Sequence, residues 1–230
     1  GHPGVTTTWL GALSMSVQLW VSADARAAYD WLTHVAALTP DNVEAFRRLA
    51  VLLTGGRLAV AVVNSLGVVG VYLLVRRLWP GEQGSKGAGR QGSVVADDAL
   101  SPPLSRSLAP LLAALLLAFD PFLAGLSGLF HVDGLSATFA TLALLSLAVA
   151  LAEKKGAWPL FFSGIMAGLA VLSKTPTLVL LPVTGLALLW AAWRDSRDLR
   201  GLLRPLRSGL LWGAAAALTV VVLYPALWTD

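Results

Sequence analysis

An acid, an imidazole and an ammonium group are the side chains from which this chain could build chemistry. Asp133 and His131 lie in Phe130-His131-Val132-Asp133-Gly134-Leu135, and Lys174 lies in Ser173-Lys174-Thr175-Pro176. A carboxylate can accept a proton or orient a cation, an imidazole can carry a proton or bind a metal, and an ammonium can hold a phosphate as a point charge. His2, in His2-Pro3-Gly4, and Arg57 are two further groups able to face a phosphate. Each has a plainer alternative. An acid at Asp133 can simply stabilise a helix start, Lys174 and Arg57 can snorkel to lipid headgroups, and His131 can be an interfacial side chain. Placed two residues apart on a helix, His131 and Asp133 should point to different faces, which speaks against a metal site formed by that pair alone. Asp120, followed by Pro121, reads as a kink whose carboxylate caps the freed amides. Asn64, inside an apolar run, reads as a helix-to-helix hydrogen-bonding residue.

The background to these groups is apolar. Of 230 residues 56% are hydrophobic and 13% charged, and the mean hydropathy is +0.71. A soluble domain carries about 25% charged residues, so the composition indicates a membrane protein with several spans. The chain has 22 Gly and 12 Pro, several inside apolar runs, as is common in membrane helices. With no Cys, disulfides and thiolate metal sites are excluded. The net charge of +4 is accounted for by loop placement, with no nucleic-acid partner required. The Gly-rich stretch from Gly81 to Gly92 lacks the phosphate-loop pattern, and neither a zinc-protease motif nor a nucleophile elbow is present. Starting at Gly1 without an initiator Met and ending at Asp230, the sequence reads as the interior of a longer, truncated membrane domain.

The elements that must position the polar groups are expected to be all α-helical: a polytopic bundle of about six spans with interfacial amphipathic helices. Val5 to Ser22 is striped, with Thr7, Gly11, Ser14, Gln18 and Ser22 on one helical face and Trp9, Leu13 and Trp20 opposite. Two Trp on the apolar side favour the headgroup boundary, with a full crossing as the rival. Ala23 to Leu38 should lie in water or along the surface. Thr39-Pro40-Asp41 then reads as a helix start, Arg47 and Arg48 sit on that helix, and Gly55-Gly56 should end or bend it. Residues 1–56 thus form juxtamembrane helices and a loop, and 57–230 form the transmembrane bundle. The six spans are expected at Arg57 to Trp79, Leu104 to Leu129, Asp133 to Ala152, Trp158 to Leu172, Thr177 to Trp193 and Gly209 to Trp228, each near the length a bilayer requires. Residues 80–103 should be a flexible cytoplasmic loop, and Arg194 to Arg207 a basic one.

Loop charge sets the orientation. Twelve of the 17 Lys and Arg fall in one set of alternate loops, and the other five, Arg26, Arg47, Arg48, Arg57 and Lys174, fall on the opposite side. The richer set is cytoplasmic by the positive-inside rule. His2, Arg57, His131, Asp133 and Lys174 then share the outer side, so that face is expected to be the working surface.

The order of these features resembles the polyprenyl-phosphate-sugar-dependent membrane glycosyltransferases of the GT-C fold, which include protein O-mannosyltransferases and lipid A aminoarabinose transferases. His2-Pro3-Gly4 and the helix after it resemble the His-Pro-Pro or Lys-Pro segment opening that family's second juxtamembrane helix. Arg57-Leu58 through Leu78-Trp79 is similar to its next span, and Phe119-Asp120-Pro121-Phe122 with His131-Val132-Asp133 to its outer turn. Gly168-Leu169-Ala170-Val171-Leu172-Ser173-Lys174-Thr175-Pro176 resembles its Gly-Leu-Ala-x-Leu-Thr-Lys-Gly-Pro segment, and Leu223-Tyr224-Pro225 its late Leu-Pro-Trp segment. Gly4 stands where the family has a second Pro, and residues 23–56 are longer than the usual connection.

The resemblance implies inverting transfer of a sugar from a polyprenyl or dolichyl phosphate to a hydroxyl of a lipid, glycan or protein acceptor, at the outer side of a membrane, most simply the bacterial cytoplasmic membrane. It makes His2, Lys174 and Arg57 the contacts to the donor phosphate, with His131 as a further candidate. Asp133 becomes a supporting acid, since the resemblance places the main base in a loop before His2. A divalent metal is compatible with such chemistry, but no full ligand set can be written from these residues. The rival class is a transporter or lipid flippase, which would gather ionisable residues near the bilayer midplane and show repeated halves; neither pattern is visible. A noncatalytic scaffold would leave the outer polar cluster without a role.

Overall fold

The computed structural model describes residues 4–34, 39, 41–78, 103–153, 157–195 and 199–224. Among these, 92% are helical and none lies in a strand. In chain order the helices are α1 (Val5–Val21), α2 (Ala23–Thr33), α3 (Val43–Leu78), α4 (Pro103–Ala118), α5 (Pro121–Ser127), α6 (Val132–Glu153), α7 (Ala157–Ser173), α8 (Leu180–Asp195) and α9 (Leu199–Leu223), with a short 3₁₀ turn at Thr175–Val179 between α7 and α8.

Among the described residues four segments are long and apolar enough to cross a membrane: Val43–Leu78, Val132–Glu153, Thr175–Arg194 and Pro205–Leu223. Leu108–Ala118 and Ala157–Ser173 are shorter apolar helices. The expected helical membrane bundle is thus observed, and the chain is an integral membrane protein. Large apolar side chains such as Leu66, Leu116, Leu186 and Trp193 remain exposed on its flanks, as a lipid-facing surface requires.

The interior is built on α6, α7 and α9, with α3 against α6. Small residues let these backbones approach. A Cβ at Gly164 would strike the carbonyl oxygen of Trp212, and one at Gly168 would lie 2.8 Å from that of Ala216; these two glycines, four residues apart, face α9. Gly67 gives the same clearance to Thr138 across the α3–α6 contact. Polar side chains tie the helices laterally, as short hydrogen bonds do where no water competes. Thr138 Oγ1 donates to Asn64 Oδ1 at 2.8 Å, which gives Asn64 the bridging role read from its position. Ser163 Oγ donates to the carbonyl of Ala143 at 2.7 Å and accepts from Trp212 Nε1 at 3.1 Å.

Several expected boundaries shift. Gly55-Gly56 neither ends nor interrupts α3, which runs unbroken for 36 residues, about 54 Å, against a hydrocarbon core of about 30 Å. The two glycines serve close packing instead: a Cβ at Gly56 would meet the Phe130 ring at 2.8 Å, and one at Gly55 the Gln18 side chain. The cap of α3 is Asn42, whose Oδ1 accepts from Ala45 N at 3.0 Å, and not the Thr39 segment; Asn at an N-cap leaves its side chain free to reach the open amides. The second expected span divides at Asp120 into α4 and α5, and Asp120 Oδ1 accepts from Leu123 N at 2.7 Å, the capping role read from Asp120-Pro121. The basic stretch from Arg194 to Arg207 is largely helical, since α8 extends to Asp195 and α9 starts at Leu199 with Pro205 inside it. The end of the sixth expected span beyond Tyr224, residues 79–102 and Lys154-Lys155 lie outside the described residues.

Candidate active site

One end of the bundle gathers the polar groups, and α1 is laid across it. Along its length α1 touches the end of α7 through Thr6 Oγ1 to Ser173 Oγ at 2.7 Å, the end of α9 through Trp9 Nε1 to the Leu223 carbonyl at 2.7 Å, and α3 through Gln18 Nε2 to the Val51 carbonyl at 3.3 Å. Between these contacts Gly11 packs on Phe130, just before α6. A helix that meets the ends of others in succession lies over them rather than among them. The striping of α1 explains the arrangement: Thr7 is buried and Gly11 and Gln18 pack inward, whereas Leu13 and Trp20 are 65% and 84% exposed. The polar and small face meets protein and the apolar face is left outside, the reverse of a water-soluble surface helix and suited to a lipid boundary.

Beneath the start of α1 is a cleft of about 900 Å³. Gly4 and Thr7 of α1, His131 and Asp133 at the start of α6, Ser173 and Lys174 at the end of α7, and Tyr224 after α9 contribute to its walls. Two of the sequence-predicted residues, 41 positions apart, meet here: Lys174 Nζ donates to Asp133 Oδ1 at 2.6 Å. The side chains are 46% and 28% exposed, so both remain open to the cleft.

Local structure explains how each reaches it. Lys174 has an extended backbone (φ −157°, ψ 126°) between the end of α7 and the 3₁₀ turn carrying Pro176. Pro176 has no N–H to offer the carbonyl four residues back, that of Leu172, and its ring would clash there, so the ladder of α7 cannot run on through this turn and the helix stops at Ser173, with Lys174 extended beyond it. Asp133 is in the first turn of α6, where the unpaired amides and the helix dipole favour a negative charge.

His131 departs from its expected geometry. It precedes α6 instead of lying on it, and its Nδ1 accepts a hydrogen bond from Asp133 N at 3.2 Å. The pair is therefore adjacent, with Nδ1 at 3.6 Å from Asp133 Oδ2, because a non-helical cap residue folds back over the first turn rather than following the helical rotation.

Arg57 is exposed on α3 and does not line the cleft, while His2 lies outside the described residues. Among the described residues no group of three or more His, Cys, Asp or Glu converges on a metal position. Sequence reasoning missed three contributors. Phe130 wedges between Gly11 and Gly56 and so holds α1 against α3 and α6. Ser173 anchors Thr6. Gly4 clears the path: a Cβ there would strike the Ser173 carbonyl oxygen. The only signal for these lay in Gly positions on α1 and α3, whose partners are distant in the chain.

Residues 103–228, more than half of the chain, match the family model for dolichyl-phosphate-mannose-protein mannosyltransferase. The chain belongs to this family. Membership implies glycosyltransferase activity of the GT-C type in a membrane-embedded helical protein, and the match spans α4 to α9 with Asp133 and Lys174 inside it. Helices α1 to α3 precede it, so the assignments of His2 and Arg57 rest on the resemblance alone. Comparison with curated proteins and with solved structures gives no match.

Proposed function

We propose that this cleft binds the head of a polyprenyl-phosphate-linked sugar and that the protein transfers the sugar to an acceptor hydroxyl at the outer face of the membrane. The observation that carries this reading is the Lys174–Asp133 ion pair at 2.6 Å on the wall of the cleft, at the bundle end that α1 covers. In the reaction, the acceptor oxygen attacks the anomeric carbon, the bond from that carbon to the phosphate oxygen breaks, and the acceptor proton passes to a base. The departing polyprenyl phosphate keeps the electron pair. Lys174 faces that developing charge and stabilises it. Asp133 holds the ammonium in place. With one carboxylate oxygen engaged by Lys174, it fits a supporting role better than that of the proton acceptor, for which the family resemblance points to a loop before His2. His2 is assigned to the same phosphate by the family resemblance of His2-Pro3-Gly4, and Arg57 to lipid headgroups beside the site, since it does not line the cleft. His131 positions Asp133 through the backbone bond that caps α6.

The outer-face assignment rests on loop charge: the bundle end bearing the cleft carries the five Lys and Arg of the poorer set. The test is sugar transfer from a polyprenyl phosphate donor by the full-length protein in proteoliposomes. Lys174→Ala and Asp133→Asn should each lower turnover at unchanged protein yield, and wild-type turnover in both would overturn the site.

A further inference from the structure

The mouth of α1 holds hydrogen-bond donors that no described residue uses. Its N-cap is Gly4, which offers no side-chain acceptor, and the first bond of the helix runs from Thr8 N to the Gly4 carbonyl at 3.1 Å. The amides of Val5, Thr6 and Thr7 therefore have no acceptor among the described residues, as the first turn of any helix leaves them. A capping Ser or Asp is sterically barred, because any Cβ at position 4 would strike the Ser173 carbonyl oxygen. The second observation is independent of the helix end. Thr7 is 4% exposed, it lines the cleft, and its Oγ1 has no hydrogen-bond partner among the described residues. Its neighbour is fully used: Ser173 Oγ donates to the Leu169 carbonyl, so Thr6 Oγ1 donates its proton to Ser173 Oγ. A buried hydroxyl without a partner is destabilising, and such a group in a cleft wall is explained when a ligand completes it.

We propose that Thr7 Oγ1 and the open first-turn amides of α1 form an oxyanion ledge for a phosphoryl group, which sits between them and the Lys174 ammonium. This rests on the reading of the cleft as the donor-head site and adds to it a neutral, hydrogen-bonding half. Charge and chemistry agree: donors and a helix N-terminus select an anion, and Lys174, already paired with Asp133, supplies the one ammonium on the described wall of the cleft. The arrangement divides the work. Lys174 attracts the anion from a distance and shares its charge with Asp133, whereas the fixed donors of α1 define where the phosphate oxygens rest. Thr7 is thus a binding residue whose contribution depends on the phosphate and not on the lipid chain.

The test is calorimetric binding by the full-length protein in phosphatidylcholine nanodiscs, with three probes: a polyprenyl monophosphate, the corresponding polyprenol and inorganic phosphate. Thr7→Val keeps the shape and removes the hydroxyl, and should weaken polyprenyl monophosphate binding by about tenfold, the effect of one hydrogen bond to a charged group, with polyprenol binding unchanged. Thr7→Ser, which keeps the hydroxyl, should stay within about threefold of wild type. A parallel Thr7-dependent loss for inorganic phosphate supports a ledge that takes the bare phosphoryl group, and a loss confined to the lipid form supports one that needs the chain for registry. Wild-type affinity in Thr7→Val overturns the proposal; if that variant does not fold, the same result in Thr7→Ala does so. If Lys174→Ala weakens binding while the Thr7 variants do not, the ledge falls and the donor-site reading stands. If the wild type binds no polyprenyl monophosphate, both fall.

Discussion

Helix α6 carries an acid at each end, and the two are treated differently. At its start Asp133 is met by Lys174 at 2.6 Å, and at its close Glu153 is met by Arg77 at 3.8 Å. Glu153 lies in the last turn, where the helix dipole disfavours an anion, and Arg77 relieves that on a surface open to solvent, with side chains 39% and 53% exposed. Such a pair contributes about 0–1 kcal/mol. Asp133 already has the favourable end of the helix, so it does not need Lys174 for stability, yet the tighter contact is there. Between the ends, the helix is tied by interior bonds of Thr138 and of the Ala143 carbonyl. One end is a structural fastening, and the other keeps a cation pointed into a cleft.

Removing the cation at the cleft should separate the two ends most sharply. Lys174→Ala is expected to lower sugar transfer by about 100-fold, the usual cost of losing one group that stabilises developing charge, measured as initial rate in proteoliposomes. Asp133→Asn keeps the ammonium but frees it, and a drop of about tenfold is expected from misplacement; a drop equal to that of Lys174→Ala would assign Asp133 a direct part in the chemistry.

The interior should respond in stability. Gly164→Val would drive a side chain into the Trp212 carbonyl, and a loss of about 1–3 kcal/mol is expected from overpacking, read from unfolding in mixed micelles. Thr138→Val removes the hydrogen bond to Asn64 and should cost about 0.6 kcal/mol, the average for such bonds between membrane helices. The smallest effect belongs to the far end of α6. Arg77→Ala should leave turnover at the wild-type value and shift stability by about 0.5 kcal/mol or less. A large loss of transfer there would erase the contrast between the ends. Their sidedness can be fixed directly, because the chain has no Cys: a cysteine at Thr175 should react with an impermeant reagent from outside, and one at Ala157 should not.

Much of the fold was legible from composition and periodicity because a bilayer accepts few alternatives. A long apolar run must close its backbone bonds within itself, so the helical character of the expected spans, the Asp120 cap, the break before Pro176 and the Asn64 bridge all followed from local rules. The striping of α1 was legible too, although which face would meet protein was not. The limits appear where glycine is ambiguous. Gly55-Gly56 has the composition of a helix end, but its local preference is overridden by the packing of Phe130 and Gln18. His131 illustrates a related limit: one residue of uncertainty in the start of α6 decides whether its ring turns away from Asp133 or folds over it.

The sequence by itself determined a helical membrane protein and the kinds of group available for chemistry, since hydropathy, proline placement and charge act through neighbours a few residues apart. It also supplied Asp133 and Lys174 as separate candidates. That these two meet, that α1 lies across the helix ends, and that Thr7 is buried in the cleft with a hydroxyl unpaired among the described residues were decided only by tertiary structure. Those contacts join residues 33 or more positions apart, and they depend on how closely glycine-lined helices approach, a quantity that no local pattern encodes.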